Sequence, residues 1–233
     1  TDSGELSDES EQTMNMLSVW AKKHPLNGVE TFGAILFFIK SPRFWLISFG
    51  VASLAVLFEF QVFIPIYLSE TFNLMPAEAG LASSAFPLGC LVAVFTGGFV
   101  YDKLSKKNFM FVLGGMLVIS ISCLLSLRYL GSVEWGVQLE LVLTIGLIFV
   151  FGFAISPAYY LPMSVFSIDF GGKHCGLLVG LIDALAYFGA MIFDFVGGDV
   201  ANQDEGWQVF LSILIVTSVI ATITMIVFLY MDY

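Results

Sequence analysis

Long apolar runs alternate with short polar links along most of this chain. Six runs are long enough to cross a bilayer: 44–69, 77–100, 109–127, 137–166, 176–196 and 207–230. A hydrocarbon core about 30 Å thick takes about 20 helical residues, and tilt absorbs a surplus. Each run therefore predicts one transmembrane helix, with links centred on Asn73, Lys103, Gly131, Gly171 and Gln203. Residues 31–39 (TFGAILFFI) are apolar but too short to span, and Lys40, Pro42 and Arg43 close them off. They predict a lead-in helix at the membrane surface. The start, TDSGELSDESEQ, is acidic and Ser-rich, a composition expected to be disordered. Met14, Leu17 and Trp20 then recur near helical spacing before Lys22 and Lys23, which fits a short interfacial helix.

Charge sets the orientation. If the chain starts inside, the inner segments hold Lys22, Lys23, Lys40, Arg43, Lys103, Lys106, Lys107 and Lys173, and the outer links hold only Arg128. Cationic loops stay on the cytoplasmic side because carrying Lys or Arg through the apolar core is costly. Both termini are thus expected to be cytoplasmic. The expected organisation is all-α: an acidic disordered cytoplasmic linker (1–28), a cytoplasmic interfacial lead-in helix (29–43) and a six-helix transmembrane domain (44–233).

Composition agrees: 58% of the 233 residues are hydrophobic and 12% charged, against about a quarter charged in soluble domains. The formal charge of −10 reflects the tail, since five acids fall within the first eleven residues, and nothing points to a nucleic-acid partner. Cys90 and Cys123 lie inside apolar runs and Cys175 at a link, so neither disulfides nor a metal site are expected. No cofactor is implied. No His-Glu-x-x-His, Gly-x-Ser-x-Gly or Walker loop is present, so an enzyme is not expected. Gly197-Gly-Asp199 lacks the preceding Gly of an intramembrane aspartyl protease, with Val196 in its place. The chain begins at Thr1 and stops at Tyr233 with no basic anchor after its last run, so both ends are expected to be cut.

Candidate chemistry lies where polar residues interrupt the spans. Asp183 sits seven residues past Gly176, about 10 Å along the helix. An acid there is expensive unless it faces a polar cavity or finds a partner. Tyr187 follows one turn on, and Gly172, Gly176, Gly180 and Ala184 form an adjacent small-residue stripe that permits close helix contact. Glu59 lies near the middle of the first span, with Gln61 two residues later. Pro157 and Pro162 interrupt the fourth span around Tyr159 and Tyr160, which are placed to line a cavity. For each, a structural hydrogen bond or plain packing is the alternative. Glu140 and Asp194 read as interfacial carboxylates, and His174 as a loop residue.

The loop Gly98-Phe-Val-Tyr-Asp102-Lys103-Leu-Ser-Lys106-Lys107 resembles the signature Gly-x-x-x-Asp-Arg/Lys-x-Gly-Arg/Lys-Arg/Lys of the major facilitator superfamily, with Ser105 where the family has Gly. An internal echo matches the family's paired three-helix repeats: Gly80-Leu81 to Asp102 parallels Gly176-Leu177 to Asp199, and Pro65-Ile-Tyr67 parallels Pro157-Ala-Tyr159. The resemblance implies the C-terminal six-helix half of a secondary transporter, built as a 3+3 inverted repeat in a lipid bilayer. It implies alternating access for a small-molecule substrate and a missing N-terminal six-helix half or a partner chain. It also implies a cytoplasmic gate at Gly98, Asp102, Lys103, Lys106, Lys107 and Asp169. Pro42-Arg43-Phe-Trp45, Pro65-Ile-Tyr67-Leu, Ser167-Ile-Asp169, Gly180-Leu-Ile-Asp183 and Gly206-Trp207 are similar to the organophosphate/phosphate antiporter branch, implying an organic anion or phosphate ester as solute. Members of that branch use cavity arginines, whereas the span interiors here contain neither Arg nor Lys. The competing reading is a complete six-helix structural subunit of a membrane complex.

Overall fold

The computed structural model describes residues 24–130, 136–201, 203 and 206–232, with the side chains of Asp102, Lys106 and Asp232 outside that description. The expected acidic disorder and the short helix around Met14, Leu17 and Trp20 lie outside it too, as does Gly131. The helices are α1 (Thr31–Lys40), α2 (Pro42–Phe72), α3 (Pro76–Ser83), α4 (Ala85–Val100), α5 (Lys106–Leu130), α6 (Val137–Gly171), α7 (Cys175–Ala201) and α8 (Gly206–Asp232), with 3-10 turns at Tyr101–Lys103 and Gly172–His174. No strand occurs among the described residues. The chain is an all-α polytopic membrane protein, because hydrocarbon offers backbone amides no partner outside their own helix.

Two places depart from a simple reading of the runs. The second span is not one rod: it breaks at Ser84 between α3 and α4. Pro87 has no amide to donate, and its ring crowds the carbonyl one turn back, at Ser83. The hydroxyls of Ser83 and Ser84 donate to Gly80 O (2.7 Å) and Leu81 O (2.6 Å), filling the gap locally. Conversely, α6 and α7 belong to one apolar stretch of 65 residues, yet they are two crossings. Tyr159 and Tyr160 of α6 share a cavity with Asp183 and Tyr187 of α7, so the chain must reverse between them. Gly172 makes that reversal with φ +52°, a conformation that a side chain disfavours.

The principal helix contacts repeat. α4 packs on α6 as α7 packs on α2; α2 packs on α8 as α6 packs on α5; α2 meets α3 as α6 meets α7. The α5–α8 and α2–α6 contacts map onto themselves when the first three spans are exchanged for the last three. This is the packing of a three-plus-three repeat, and an odd number of crossings inverts the second copy.

Close approach depends on glycine at one crossing. A Cβ at Gly89 of α4 would collide with Phe149 O of α6, and one at Gly152 of α6 with Phe86 O of α4. The contact is reciprocal, backbone on backbone, and Cys90 Sγ donates to Gly152 O at 3.4 Å beside it. α5 and α8 are joined by the buried Ser120–Ser218 hydroxyl pair at 3.0 Å, and Arg128 donates to Ser212 at the same interface. At that end of the bundle, Trp207 Nε1 donates to Glu70 Oε2 at 2.7 Å, tying α8 to α2. At the basic end, two histidines tie the lead-in segment to the α6–α7 turn. His24 Nε2 donates to Asp169 O (3.1 Å) and His174 Nε2 to Val29 O (3.0 Å). Phe37 of α1 stacks on Phe170 with ring centroids 5.4 Å apart. His174 is therefore a tether.

Substituting Gly89 or Gly152 by Ala is expected to force α4 from α6 and cost about 1–3 kcal/mol, as over-packing does. Gly115→Ala and Gly146→Ala, where no atom lies within 4 Å of the added carbon, should hold or slightly raise the midpoint, since Ala suits a helix interior better than Gly. Thermal unfolding in detergent micelles checks this; equal midpoints for all four variants would show that the helices do not touch there.

Candidate substrate or coupling site

Three helices meet around a cavity of about 250 Å³. From α2 come Ala55, Phe58, Glu59 and Gln61; from α6, Tyr159, Tyr160 and Met163; from α7, Asp183 and Tyr187, one turn apart on one face. All six residues singled out in the spans, Glu59, Gln61, Tyr159, Tyr160, Asp183 and Tyr187, lie on this single wall. Ala55, Phe58 and Met163 could not be told from ordinary lipid-facing or core residues in the sequence. Glu59 is 17 residues from Pro42 and 13 from Phe72, roughly 25 and 20 Å by helical rise. The cavity is therefore at mid-depth.

Phe58, Tyr159 and Tyr160 form a triangle of edge-on rings, with centroids 5.1 Å (Phe58–Tyr159), 4.9 Å (Tyr159–Tyr160) and 6.2 Å (Phe58–Tyr160) apart. Tyr159 is only 8% exposed and lines the cavity. Glu59 and Asp183 are half-buried, and among the described residues no cationic side chain lines the cavity. Across the described protein no group of three potential ligands could hold a metal ion.

Two expectations change. Asp194 is not an ordinary interfacial carboxylate: its Oδ1 is sealed from solvent with no partner among the described residues. The signal was present, since Asp194 follows Asp183 by eleven residues, about three turns, on nearly the same face. Among the described residues, no neighbouring helix packs on the small-residue stripe at Gly176 and Gly180. Gly176, Gly180 and Ala184 are exposed, and nothing lies within 4 Å of a Cβ added at either glycine. A second groove of about 590 Å³ runs between α4 and α6 on the far side of Tyr160, but its walls (Pro87, Leu91, Val94, Pro157 and Leu161 among them) are mostly carbon. Charged chemistry belongs to the smaller cavity.

At the basic end, Gly98 closes α4 in the open, with nothing within 4 Å of an added Cβ, and Lys103 and Lys107 are exposed. The side chains of Asp102 and Lys106 lie outside the described residues, so the expected latch is not visible. Ser105 caps α5: the Asn108 amide donates to its hydroxyl (3.4 Å) and the Phe109 amide to its carbonyl (2.9 Å). Tyr101 donates to Met116 Sδ at 3.2 Å, and burial pushes its hydroxyl above the ordinary tyrosine value. Asp169 sits at the α6–α7 turn, where its carbonyl receives His24.

Residues 44–233 match the family model of the Major Facilitator Superfamily. The chain belongs to this superfamily. It is a transporter family, not an enzyme family. Among curated proteins, the chain is 24% identical over 222 residues to an Arabidopsis thaliana protein designated glycerol-3-phosphate transporter 5, covering 90% of this chain and 39% of that one. It is 31% identical over 163 residues to a hexose phosphate transport protein of Chlamydia trachomatis serovar D, covering 68% and 33% respectively. Both designations are provisional. A nitrite extrusion protein of Bacillus subtilis strain 168 is 32% identical over 99 residues, 40% of this chain and 24% of its own. The chain thus spans between about a quarter and two fifths of the length of these superfamily relatives.

In a cysteine-free background, cysteines placed at 61, 183 and 187 should react with a charged, water-borne thiol reagent. Cysteines at the fully buried neighbours Ile182 and Ala186 should not. Mass spectrometry of labelled protein in nanodiscs reads the contrast, and uniform protection would mean the cavity is dry.

Proposed function

We propose that this chain is one six-helix half of a secondary transporter that moves a small solute by alternating access. Glu59, Gln61, Tyr159, Tyr160, Asp183 and Tyr187 are its share of the substrate or coupling site. The observation that carries the reading is a mid-depth cavity onto which three helices project these polar groups. Such a cavity between repeats is where carriers of this architecture hold solute and coupling ion. The exposed face of α7 beside it, with Gly176, Gly180 and Ala184, offers a close-packing surface for helices of the other half or of a partner chain. The names of the relatives favour an organic anion, a phosphate ester foremost, and the cations for it would come from outside this wall.

The basic end, with Lys40, Arg43, Lys103, Lys107 and Lys173, faces the cytoplasm in this reading, and both termini lie there. The gate at Gly98, Asp102, Lys103, Lys106, Lys107 and Asp169 closes that side when the halves rock together. Cysteines at Lys103 and Gln203, on opposite links, should label from opposite faces of sealed vesicles. Labelling of both from one face would invert or break the topology.

Glu59→Gln and Asp183→Asn in the full-length protein should each reduce coupled uptake into proteoliposomes at least tenfold while membrane insertion and melting temperature hold. Transport kinetics unchanged in both would remove these residues from the site.

A further inference from the structure

We propose that His24 is a pH-sensitive clip, which fastens the lead-in segment to the α6–α7 turn at neutral pH and releases it on mild acidification. Its two ring nitrogens have opposite duties. Nε2 donates to Asp169 O (3.1 Å), and Nδ1 accepts the Leu26 amide (3.2 Å). A carbonyl can only accept and an amide N–H can only donate, so both bonds require the neutral imidazole with its proton on Nε2. A second proton would sit on Nδ1 and point at the Leu26 N–H, donor against donor. Leu26 is only 1% exposed, so water does not take over its amide, and a buried N–H that loses its acceptor is costly. The ring is also seated. It lies on the bare backbone of Gly172, where an added Cβ would come within 2.6 Å of Nδ1.

The second histidine works differently. His174 Nε2 donates to Val29 O (3.0 Å), and a proton added at its Nδ1 leaves that bond in place. The segment therefore stays hinged at Val29 while its start comes free. The other ionisable side chains of the elements packed here are Asp169, Lys173 and Cys175 around the turn, and Glu30, Lys40 and Arg43 along α1 and the start of α2. Carboxylates ordinarily titrate below about pH 5, and thiols, amines and guanidinium above about pH 8. Between those limits imidazole is the group that changes charge. The closed clip binds one proton fewer than the open one, so falling pH favours the open form. What it frees is the turn joining the two helices that bring Tyr159 and Asp183 to the cavity. In the orientation proposed above the pH sensed is that of the cytoplasm, but the clip itself does not depend on that reading.

The test is hydrogen exchange of the full-length protein in nanodiscs, read by mass spectrometry at about pH 7.5 and about pH 5.5 and corrected for the intrinsic pH dependence of exchange. Protection of the Leu26 amide should fall severalfold on acidification, and by no more than about a hundredfold, the limit for one proton over two pH units. His24→Asn keeps an acceptor two residues before that amide, as Asn does in an Asx turn, with nothing to titrate. Its protection should be the same at both pH values. His174→Gln should keep the wild-type response. Equal protection of the wild-type Leu26 amide at the two pH values overturns the proposal whether or not the variants fold. A response that persists in His24→Asn overturns it as well. Solute flux does not enter the measurement, so failure of the transport reading would leave its outcome standing.

Discussion

A bilayer core supplies no hydrogen bonds, and the whole structure answers to that. Backbone amides are satisfied within helices, and most hydroxyls in the spans follow suit by bonding one turn back. Ser53 bonds to Phe49 O, Thr96 to Val92 O, Ser122 to Val118 O, Ser164 to Tyr160 O and Thr217 to Ile213 O, all between 2.7 and 2.9 Å. Carboxylates cannot bond back in this way, because they accept and do not donate. Glu59 and Asp183 therefore have to face a polar space, and the cavity exists where three helices let them do so.

Packing follows from the same solvent. Hydrocarbon is as apolar as leucine, so helices associate through fit and not through exclusion from water. Two devices provide the fit. Gly89 and Gly152 let α4 and α6 touch backbone to backbone, while α2, α7 and α8 lock through rings. Phe63, Phe193 and Phe210 lie 4.9 to 6.1 Å apart between centroids. The aromatic lock and the glycine crossing hold α2, α6 and α7 at the spacing that leaves a cavity among them.

The wall's charge and the relatives' names pull in different directions. Phosphate esters are the solutes in two of those names, yet the lining contributed here is anionic and aromatic. Both hold together if the site is shared, since this chain spans at most two fifths of each of those relatives. An anionic group could meet cations supplied from elsewhere while its other end meets this wall. Electrostatics thus divides the labour between the two sides of one path.

How much could be read in advance depended on the range of the forces involved. Span number, helical state and the short list of polar interruptions were legible because hydropathy and charge cost act residue by residue. The site residues were legible for the same reason: an acid inside an apolar run is conspicuous wherever it packs. The break at Ser84, the cap at Ser105 and the tethers from His24 and His174 were not, since each needs a partner chosen by geometry. Asp194 looked interfacial by its distance from a helix end, until packing sealed one of its oxygens. The stripe at Gly176, Gly180 and Ala184 read as a helix contact, but only the fold shows that no described residue packs against its two glycines. Local chemistry determined that this protein is a membrane bundle with carboxylates inside. Which helices converge, and hence that six scattered residues become one wall, was decided by tertiary packing, because distances between side chains 24 to 128 residues apart (Tyr159 to Asp183, Glu59 to Tyr187) are not encoded in any one span.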